Sequence, residues 1–178
     1  GSLLADSEGW AVAVYLLGLA RRGERRPHRL PAAAPAGRGT DFVVDYIRSE
    51  VLEPLDPALR GFLVASSMLD EQDAGLCDSV LQRDDSAVVL HELAQATALV
   101  RRADPATAVY RYHHLLTEAL RRTLADTTDA TGIAALHLRA ARWYADHDDL
   151  DSALRHAQSA GDLDQVARLV SDGLPTSA

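Results

Sequence analysis

Two adjacent histidines, His113 and His114, lie where a predicted strand is followed directly by a predicted helix. Before them, residues 109–112 carry two aromatic side chains two positions apart, as on one face of a β-strand. After them, apolar residues recur at helical spacing over residues 115–120. The first N–H groups of a helix are unpaired and attract anions, so a histidine here is suited to contact a phosphate. A helix N-terminus also disfavours the charged imidazolium, and this favours a neutral imidazole that donates one N–H.

Each of these residues has a simpler structural interpretation as well. His113 can be a buried, hydrogen-bonded structural histidine, and His114 can be a surface or core residue. Cys77 is interpreted as a small buried hydrophobic residue, because no nearby base that would activate it is evident. Neither the paired histidines nor those further along the chain have the i, i+4 spacing of helical metal ligands, so no metal site is predicted. The three further histidines are His137, His147 and His156.

Composition excludes several classes of function. With 178 residues and 47 % hydrophobic residues, the chain is expected to fold. Its net charge of -8 disfavours non-specific attraction to nucleic acid or to an anionic membrane, and no apolar run approaches the roughly 18 residues of a membrane span. A single cysteine excludes a disulfide framework. All 18 basic residues are arginine, which excludes a Schiff-base lysine and a lysine-containing phosphate loop.

The first forty residues divide into a predicted helix and a predicted linker. Residues 1–20 present an apolar helical face that includes Trp10, Val14 and Leu17. Residues 21–40 contain three prolines, three glycines and a cluster of five arginines. That basic cluster can be a phosphate or nucleic-acid contact, but it has no interleaved aromatic residue, so a flexible, solvated linker is preferred. Gly1 and Ser2 are typical of a cloning remnant, and we therefore expect a piece of a longer protein.

Residues 41–126 have the pattern of a winged-helix-like domain. The predicted helices are one capped by Asp41 and running to Leu52, one that begins near Pro57, one over 74–81, and one capped within 84–86. Residues 99–100 and 109–112 then predict a β-hairpin around the turn signal at 103–105. Three or four short helices followed by a hairpin are the outline of a winged helix.

Residues 127–178 predict helices alone. Ile133, Leu136 and Ala140 share one face of a long helix, Asp149 is expected to cap the next, and residues 161–162 separate that helix from a third. Antiparallel helices joined by such corners are typical of α-solenoids, and so few of them are expected to continue in a longer array. The predicted fold class is therefore mainly α, with a winged-helix-like domain, one small β-hairpin, and antiparallel, TPR-like helical repeats after it.

Four stretches of the chain, taken in order, carry a resemblance to a known family. They are Glu8-Gly9-Trp10 with Leu16-Leu17, Asp41-Phe42-Val43 through Glu50-Val51-Leu52, Tyr110-Arg111-Tyr112-His113-His114-Leu115-Leu116, and Ala140 to Tyr144 followed by Ala157 to Leu169. This order resembles the central region of MalT-type large LuxR-family regulators, which are signal-transducing ATPases of the STAND class. The resemblance implies the end of a helical lid at 1–20, a flexible linker at 21–40, a winged-helix-like domain at 41–126, and the start of a helical-repeat arm at 127–178.

The same resemblance suggests a role for His113. The run Tyr112-His113-His114-Leu115 resembles the Met-His-Asp-Leu motif of related nucleotide switches, in which the histidine contacts the β-phosphate of ADP and holds the protein closed. His113 takes the place of that histidine, whereas Tyr112 and His114 replace the Met and the Asp. Ala11 stands where the family has a proline that packs on adenine. The resemblance thus implies ATP or ADP as the cofactor of the parent protein, bound mainly by sequence upstream of this chain.

We predict the regulatory segment of a bacterial, cytoplasmic, ATP-dependent signal-transduction protein, by preference a transcription regulator. Its expected partners are the upstream nucleotide-binding domain of the same chain and an inducer or regulatory protein at the helical arm. Two alternatives are a helical scaffold for protein–protein interaction and the equivalent module of a serine/threonine protein kinase. Direct DNA binding is disfavoured because the candidate recognition helix, residues 86–96, contains no arginine. No catalytic residue is predicted, since no nucleophile has a partner base.

Overall fold

The computed structural model describes residues 39–97, 99–104 and 107–173. The predicted helix at 1–20 and most of the predicted linker at 21–40 lie outside these residues. In chain order the elements are α1 (Gly39–Tyr46), a π-helical turn (Ile47–Leu52), α2 (Pro57–Ser66), α3 (Ala74–Leu81), α4 (Ser86–Ala96), β1 (Val100–Arg102), β2 (Tyr110–Tyr112), α5 (His114–Thr127), α6 (Ala130–Asp146), α7 (Leu150–Ala160) and α8 (Leu163–Gly173). The predicted fold class, mainly α with one small hairpin followed by further helices, is confirmed.

The first helix differs from the prediction at its start and in its second half. It begins at Gly39, so Asp41 lies in its first turn and is not the cap. The Asp41 carboxylate instead accepts a hydrogen bond from Arg122 Nη2 at 2.8 Å. An acid is favourable anywhere in the first turn of a helix, so it does not by itself mark the capping position. The π-helical turn that follows brings residues five apart near one face, and its two end residues are both buried.

At the start of α4, a residue other than the N-cap residue accepts the hydrogen bond from the first backbone N–H. Asp85 occupies the capping position, but its carboxylate forms an ion pair with Arg83 and makes no capping hydrogen bond. The backbone N–H of Ser86 donates to Asp78 Oδ1 at 3.0 Å, so the carboxylate comes from the preceding helix, α3. The N-cap position thus lies within residues 84–86 as predicted, but Asp85 makes no capping hydrogen bond because Arg83 pairs with its carboxylate.

The other predicted helix boundaries agree with the structure. Pro57 is the first residue of α2, and Asp56 before it accepts a hydrogen bond from the N–H of Ala58 at 2.8 Å. Asp149 caps α7 as predicted, since its carboxylate accepts from the N–H of Ser152 at 3.0 Å. Gly161 ends α7 at a φ of 73°, a left-handed conformation that glycine adopts at no steric cost.

The hairpin is antiparallel, with Arg101 opposite Arg111. Gln72, in the loop between α2 and α3, adds an isolated bridge to Tyr110 on the other edge of β2. The hairpin lies on a core shared by the helices around it. Deeply buried members of that core are Val44, Ile47, Leu76, Cys77, Val80, Leu90, Val100, Ala119, Leu120 and Ala140.

The helices after the hairpin pack onto this core. Helix α6 packs along both α7 and α3, and Arg139 Nε on α6 donates to the backbone carbonyl of Val80 at 2.5 Å. Helix α8 in turn packs on α7. None of the helices in the described ranges has the length and hydropathy of a membrane-spanning segment. The first helices after the winged-helix-like part are thus joined to it by direct contact as well as by the chain.

Candidate functional site

His113 is the N-cap of α5, at the strand-to-helix junction that the sequence predicts. Its backbone N–H donates to the carbonyl of Leu99 at 2.7 Å, and this bond continues the hairpin to the helix start. Its Nδ1 accepts a hydrogen bond from the N–H of Leu115 at 3.3 Å. Because Nδ1 is an acceptor, the neutral imidazole carries its proton on Nε2. The predicted neutral form that donates one N–H is therefore compatible with this geometry.

The imidazole of His113 also occupies one of the N–H groups with which the start of α5 could bind an anion. The expected open anion site relied on unpaired N–H groups in the first turn, but the N–H of Leu115 is taken by His113. An anion at this position would accept a hydrogen bond from Nε2–H of His113 instead. The rings of His113 and His114 lie next to each other, with centroids 4.4 Å apart.

His113 and His114 lie in the wall of an open groove of about 720 Å³, which we call the His113 groove. Two arginines, Arg101 from β1 and Arg121 from α5, also line it, together with the acids Asp70 and Glu118. The remaining lining residues are Leu69, Tyr112 and Thr117. The volume lies within the range of small-molecule sites, which is roughly 300–1,000 Å³. The His113 groove thus brings two guanidinium groups and two imidazoles together at the start of α5.

Arg121 is held in place by two groups of the α2–α3 loop. Its Nε donates to the carbonyl of Ser67 at 2.8 Å, and its Nη2 lies 3.3 Å from Asp70 Oδ1. The other oxygen of the same carboxylate, Asp70 Oδ2, lies 3.1 Å from Nη1 of Arg155 on α7. One carboxylate therefore holds an arginine of the winged-helix-like part and an arginine of the helices that follow.

This arrangement is suited to binding an anion. Guanidinium groups recognise phosphate through paired N–H donors, and an imidazole N–H adds a further donor. Two acids also line the His113 groove, but Asp70 is already engaged by two arginines. Glu118 is similarly paired, since its carboxylate accepts from Arg122 Nε at 2.9 Å. The guanidinium and imidazole N–H groups of the His113 groove are donors of the kind that can form hydrogen bonds to an anion.

A second histidine pair lies outside this groove. His137 on α6 and His156 on α7 have their Nδ1 atoms 2.9 Å apart, and the Tyr144 ring stacks on His156. Burial, together with the charges of His137 and Arg155, lowers the pKa of His156 to about 4. Burial also lowers the pKa of His137, with a smaller contribution from Arg121. The pair is therefore neutral near pH 7 and joins α6 to α7.

Cys77 is confirmed as a buried hydrophobic residue. Its side chain has no exposed surface, and the structure holds it as a free thiol. Burial, together with the charges of Asp73 and Asp78, raises its pKa to about 12. A thiol with so high a pKa is not a nucleophile near neutral pH.

The exposed surface of α4 carries no arginine. Leu90 and Leu93 of this helix are buried, as the sequence predicts. Its exposed side chains are Ala87, Val88, His91, Glu92 and Gln95. Val88 is 59 % exposed, so the outward face combines an apolar residue with an acid. Such a face offers no cation for phosphate contact.

The sequence predicts His113 as the candidate phosphate contact but does not mark the residues around it. Arg101, Arg121 and Asp70 come from a strand, a helix and a loop, and the Arg121–Asp70 contact spans 51 residues of chain. No short motif marks such a cluster. The one available signal is that the predicted hairpin places 100–102 beside 110–112, which brings Arg101 near the histidines.

Comparison with known proteins gives one domain match and several relatives. Residues 48–131 match the family model described as the MalT winged helix domain. The serine/threonine-protein kinase PknK of Mycobacterium tuberculosis is 27 % identical over 169 residues, which are 95 % of this chain and 15 % of the kinase. The HTH-type transcriptional regulator MalT of Klebsiella pneumoniae is 29 % identical over 160 residues, 90 % of this chain and 18 % of the regulator. The chain thus spans less than a fifth of the length of these relatives.

Proposed function

We propose that this MalT-type chain is the switch segment of a multidomain, ATP-dependent signal-transduction protein. Its residues 48–131 match the winged helix domain of that family. In the inactive state, His113 donates a hydrogen bond to a phosphate of ADP bound by an upstream nucleotide-binding domain of the same protein. ATP, or an inducer or regulatory protein at the helical arm, then opens this contact. The protein acts in the bacterial cytoplasm, and this segment itself is not an enzyme.

The observation that carries the proposal is the placement of His113. Nδ1 accepts a hydrogen bond from the N–H of Leu115, so the imidazole has a defined orientation in which Nε2–H is the ring's donor. The ring lines the His113 groove with Arg101 and Arg121. A diphosphate carries several oxygens that can accept from these groups at once. This set of donors supports phosphate recognition by the His113 groove.

For the output of the whole protein, we propose transcription regulation. The similarity to the transcriptional regulator MalT supports this, and the similarity to the kinase PknK makes kinase regulation the alternative. In both proposals the segment acts through contacts within its own chain, not through nucleic acid. The acidic net charge and the exposed face of α4 support that part of the proposal.

The nucleotide content of the whole protein that contains this chain tests the proposal. Wild type and His113→Ala would be purified, denatured, and their released nucleotides identified by chromatography. Wild type is expected to carry near-stoichiometric ADP and His113→Ala to have lost most of it. His91→Ala is the matched control, because His91 is exposed on α4 and does not line the His113 groove. Equal ADP in all three proteins would contradict the proposal.

A helical scaffold is the second candidate function. Leu163 at the start of α8 is 77 % exposed, and such an exposed leucine favours contact with a further protein surface. In this case the histidines would be structural, and nucleotide would have no effect on these helices. Hydrogen exchange of α7 and α8 in the whole protein, with ADP and with ATP, distinguishes the two. Identical exchange with both nucleotides favours the scaffold.

A further inference from the structure

We propose that Asp70 couples the His113 groove to α7, so that the position of α7 sets how tightly the groove holds a phosphate. This inference rests on the proposed function and concerns the regulation of the same site. It assigns a positioning role to Asp70 and to Arg155, neither of which needs to touch the phosphate.

The contacts place Asp70 between two parts of the chain. One oxygen of its carboxylate is 3.3 Å from Arg121 Nη2, and the other is 3.1 Å from Arg155 Nη1. Arg121 lines the His113 groove, whereas Arg155 is on α7. Arg155 is itself oriented from within α7, because its Nη2 donates to Ser152 Oγ at 2.8 Å. A displacement of α7 would therefore remove the guanidinium of Arg155 from Asp70.

Arg155 determines how strongly the charge of Asp70 opposes phosphate binding in the His113 groove. Asp70 lines the His113 groove, so an uncompensated carboxylate there repels a phosphate and holds Arg121 away from it. With Arg155 in place, part of that negative charge is neutralised, so Asp70, which contacts both arginines, competes less strongly with a phosphate for Arg121. When α7 moves away, the uncompensated charge of Asp70 again repels the phosphate and competes with it for Arg121. By linkage, a phosphate that pairs with Arg121 frees the Asp70 carboxylate to pair with Arg155 alone. This contact then holds α7 in place.

A double-mutant cycle in the whole protein tests this coupling through the rate of ADP release. The variants are Arg155→Ala, Asp70→Asn and the double variant, and release is followed by displacement of a fluorescent ADP analogue. Both side chains are more than half exposed, so these variants are expected to fold. Arg142→Ala is the matched control, because Arg142 is an exposed arginine on the neighbouring α6 and does not line the His113 groove.

Arg155→Ala is expected to speed ADP release about threefold, the size of effect that an exposed ion pair supports. In the Asp70→Asn background the same change is expected to have no effect, and Arg142→Ala should behave as wild type. Two results would overturn the coupling. One is an unchanged rate in Arg155→Ala, and the other is an equal acceleration with and without Asp70.

Failure of the coupling and failure of the proposed function give different results. If His113→Ala speeds ADP release but the cycle shows no coupling, the switch proposal stands and this inference falls. If His113→Ala releases ADP at the wild-type rate while the cycle shows coupling, Arg121 is the phosphate contact and the role of His113 falls. A whole protein that carries no nucleotide would overturn both.

Discussion

The Nδ1 atoms of His137 and His156 lie 2.9 Å apart, although 19 residues separate the two histidines in the chain. At this distance a single proton lies between the two nitrogens, and two charged rings would repel each other. Other charged groups near the pair are Arg121 from α5, Arg155 from α7 and Asp70 from the α2–α3 loop. Two of these three are cations, which add to the cost of charging the histidines.

The pair predicts a loss of stability on acidification. Folding lowers the pKa of His156 from 6.5 to about 4, so its stabilising contribution is fully present above pH 6.5. As the pH falls from 6.5 towards 4, the unfolded chain takes up the proton first, and the free energy of unfolding decreases by about 1–3 kcal/mol. The lowered pKa of Asp149 acts only below this window, near the ordinary range of an aspartate. The melting temperature measured between pH 8 and pH 4 checks the prediction.

The matched variant is His137→Gln with His156→Gln, which removes the titrating groups while keeping polar side chains. Its melting temperature should depend less on pH than that of wild type between pH 6.5 and pH 4. A wild-type melting temperature that rises on acidification through this window, or an identical pH dependence in the variant, would contradict the assignment.

Truncation of Leu120 is expected to be strongly destabilising. Leu120 of α5 has no exposed surface and lies in the shared core behind the hairpin. Leu120→Ala leaves a cavity there and should lower the free energy of unfolding by about 2–5 kcal/mol. Leu163→Ala is the control, because this leucine is 77 % exposed and its loss should cost about 0.5 kcal/mol or less. Urea unfolding of both variants measures the difference, and equal effects would show that the core is elsewhere.

The chain is expected not to bind DNA. A gel-shift experiment with random-sequence duplex at low salt should show no complex, since low salt favours any phosphate contact that exists. The physical reason is the absence of arginine from α4, whose exposed side chains include Val88 and Glu92. A shift that disappears as salt is raised would instead assign an electrostatic DNA-binding surface to this chain.

The sequence predicts local structure well where a short stretch of residues determines it. Residues 74–81 form a helix with Leu76, Cys77 and Val80 inward, and His113 lies at the junction between β2 and α5. Apolar periodicity and turn residues report these features, because each is a property of a short stretch. The π-helical turn at Ile47–Leu52 is different, since its residues have the same apolar spacing as the α-helix that the sequence predicts there.

Contacts between residues far apart in the chain could not be predicted in the same way. Asp70 meets Arg155 across 85 residues of chain, and His137 meets His156 across two helices. Such contacts depend on the register between packed elements, which periodicity within one element does not specify. Asp85 is a related case: it stands at the capping position of α4, but a neighbouring arginine takes its carboxylate.

The most direct test of the central claim separates the two roles of His113, as helix cap and as phosphate contact. In His113→Asn the new side chain can still cap α5, because asparagine is among the best N-capping residues. It has no atom equivalent to Nε2, the donor that the account assigns to the phosphate. The measurement is the rate of ADP release from the whole protein, with the melting temperature as a control for folding. We expect a wild-type melting temperature and ADP release at least about tenfold faster, since a hydrogen bond to a charged group contributes about 1.5–3 kcal/mol. An unchanged rate of ADP release in a folded His113→Asn protein would contradict it and leave His113 as a helix cap alone.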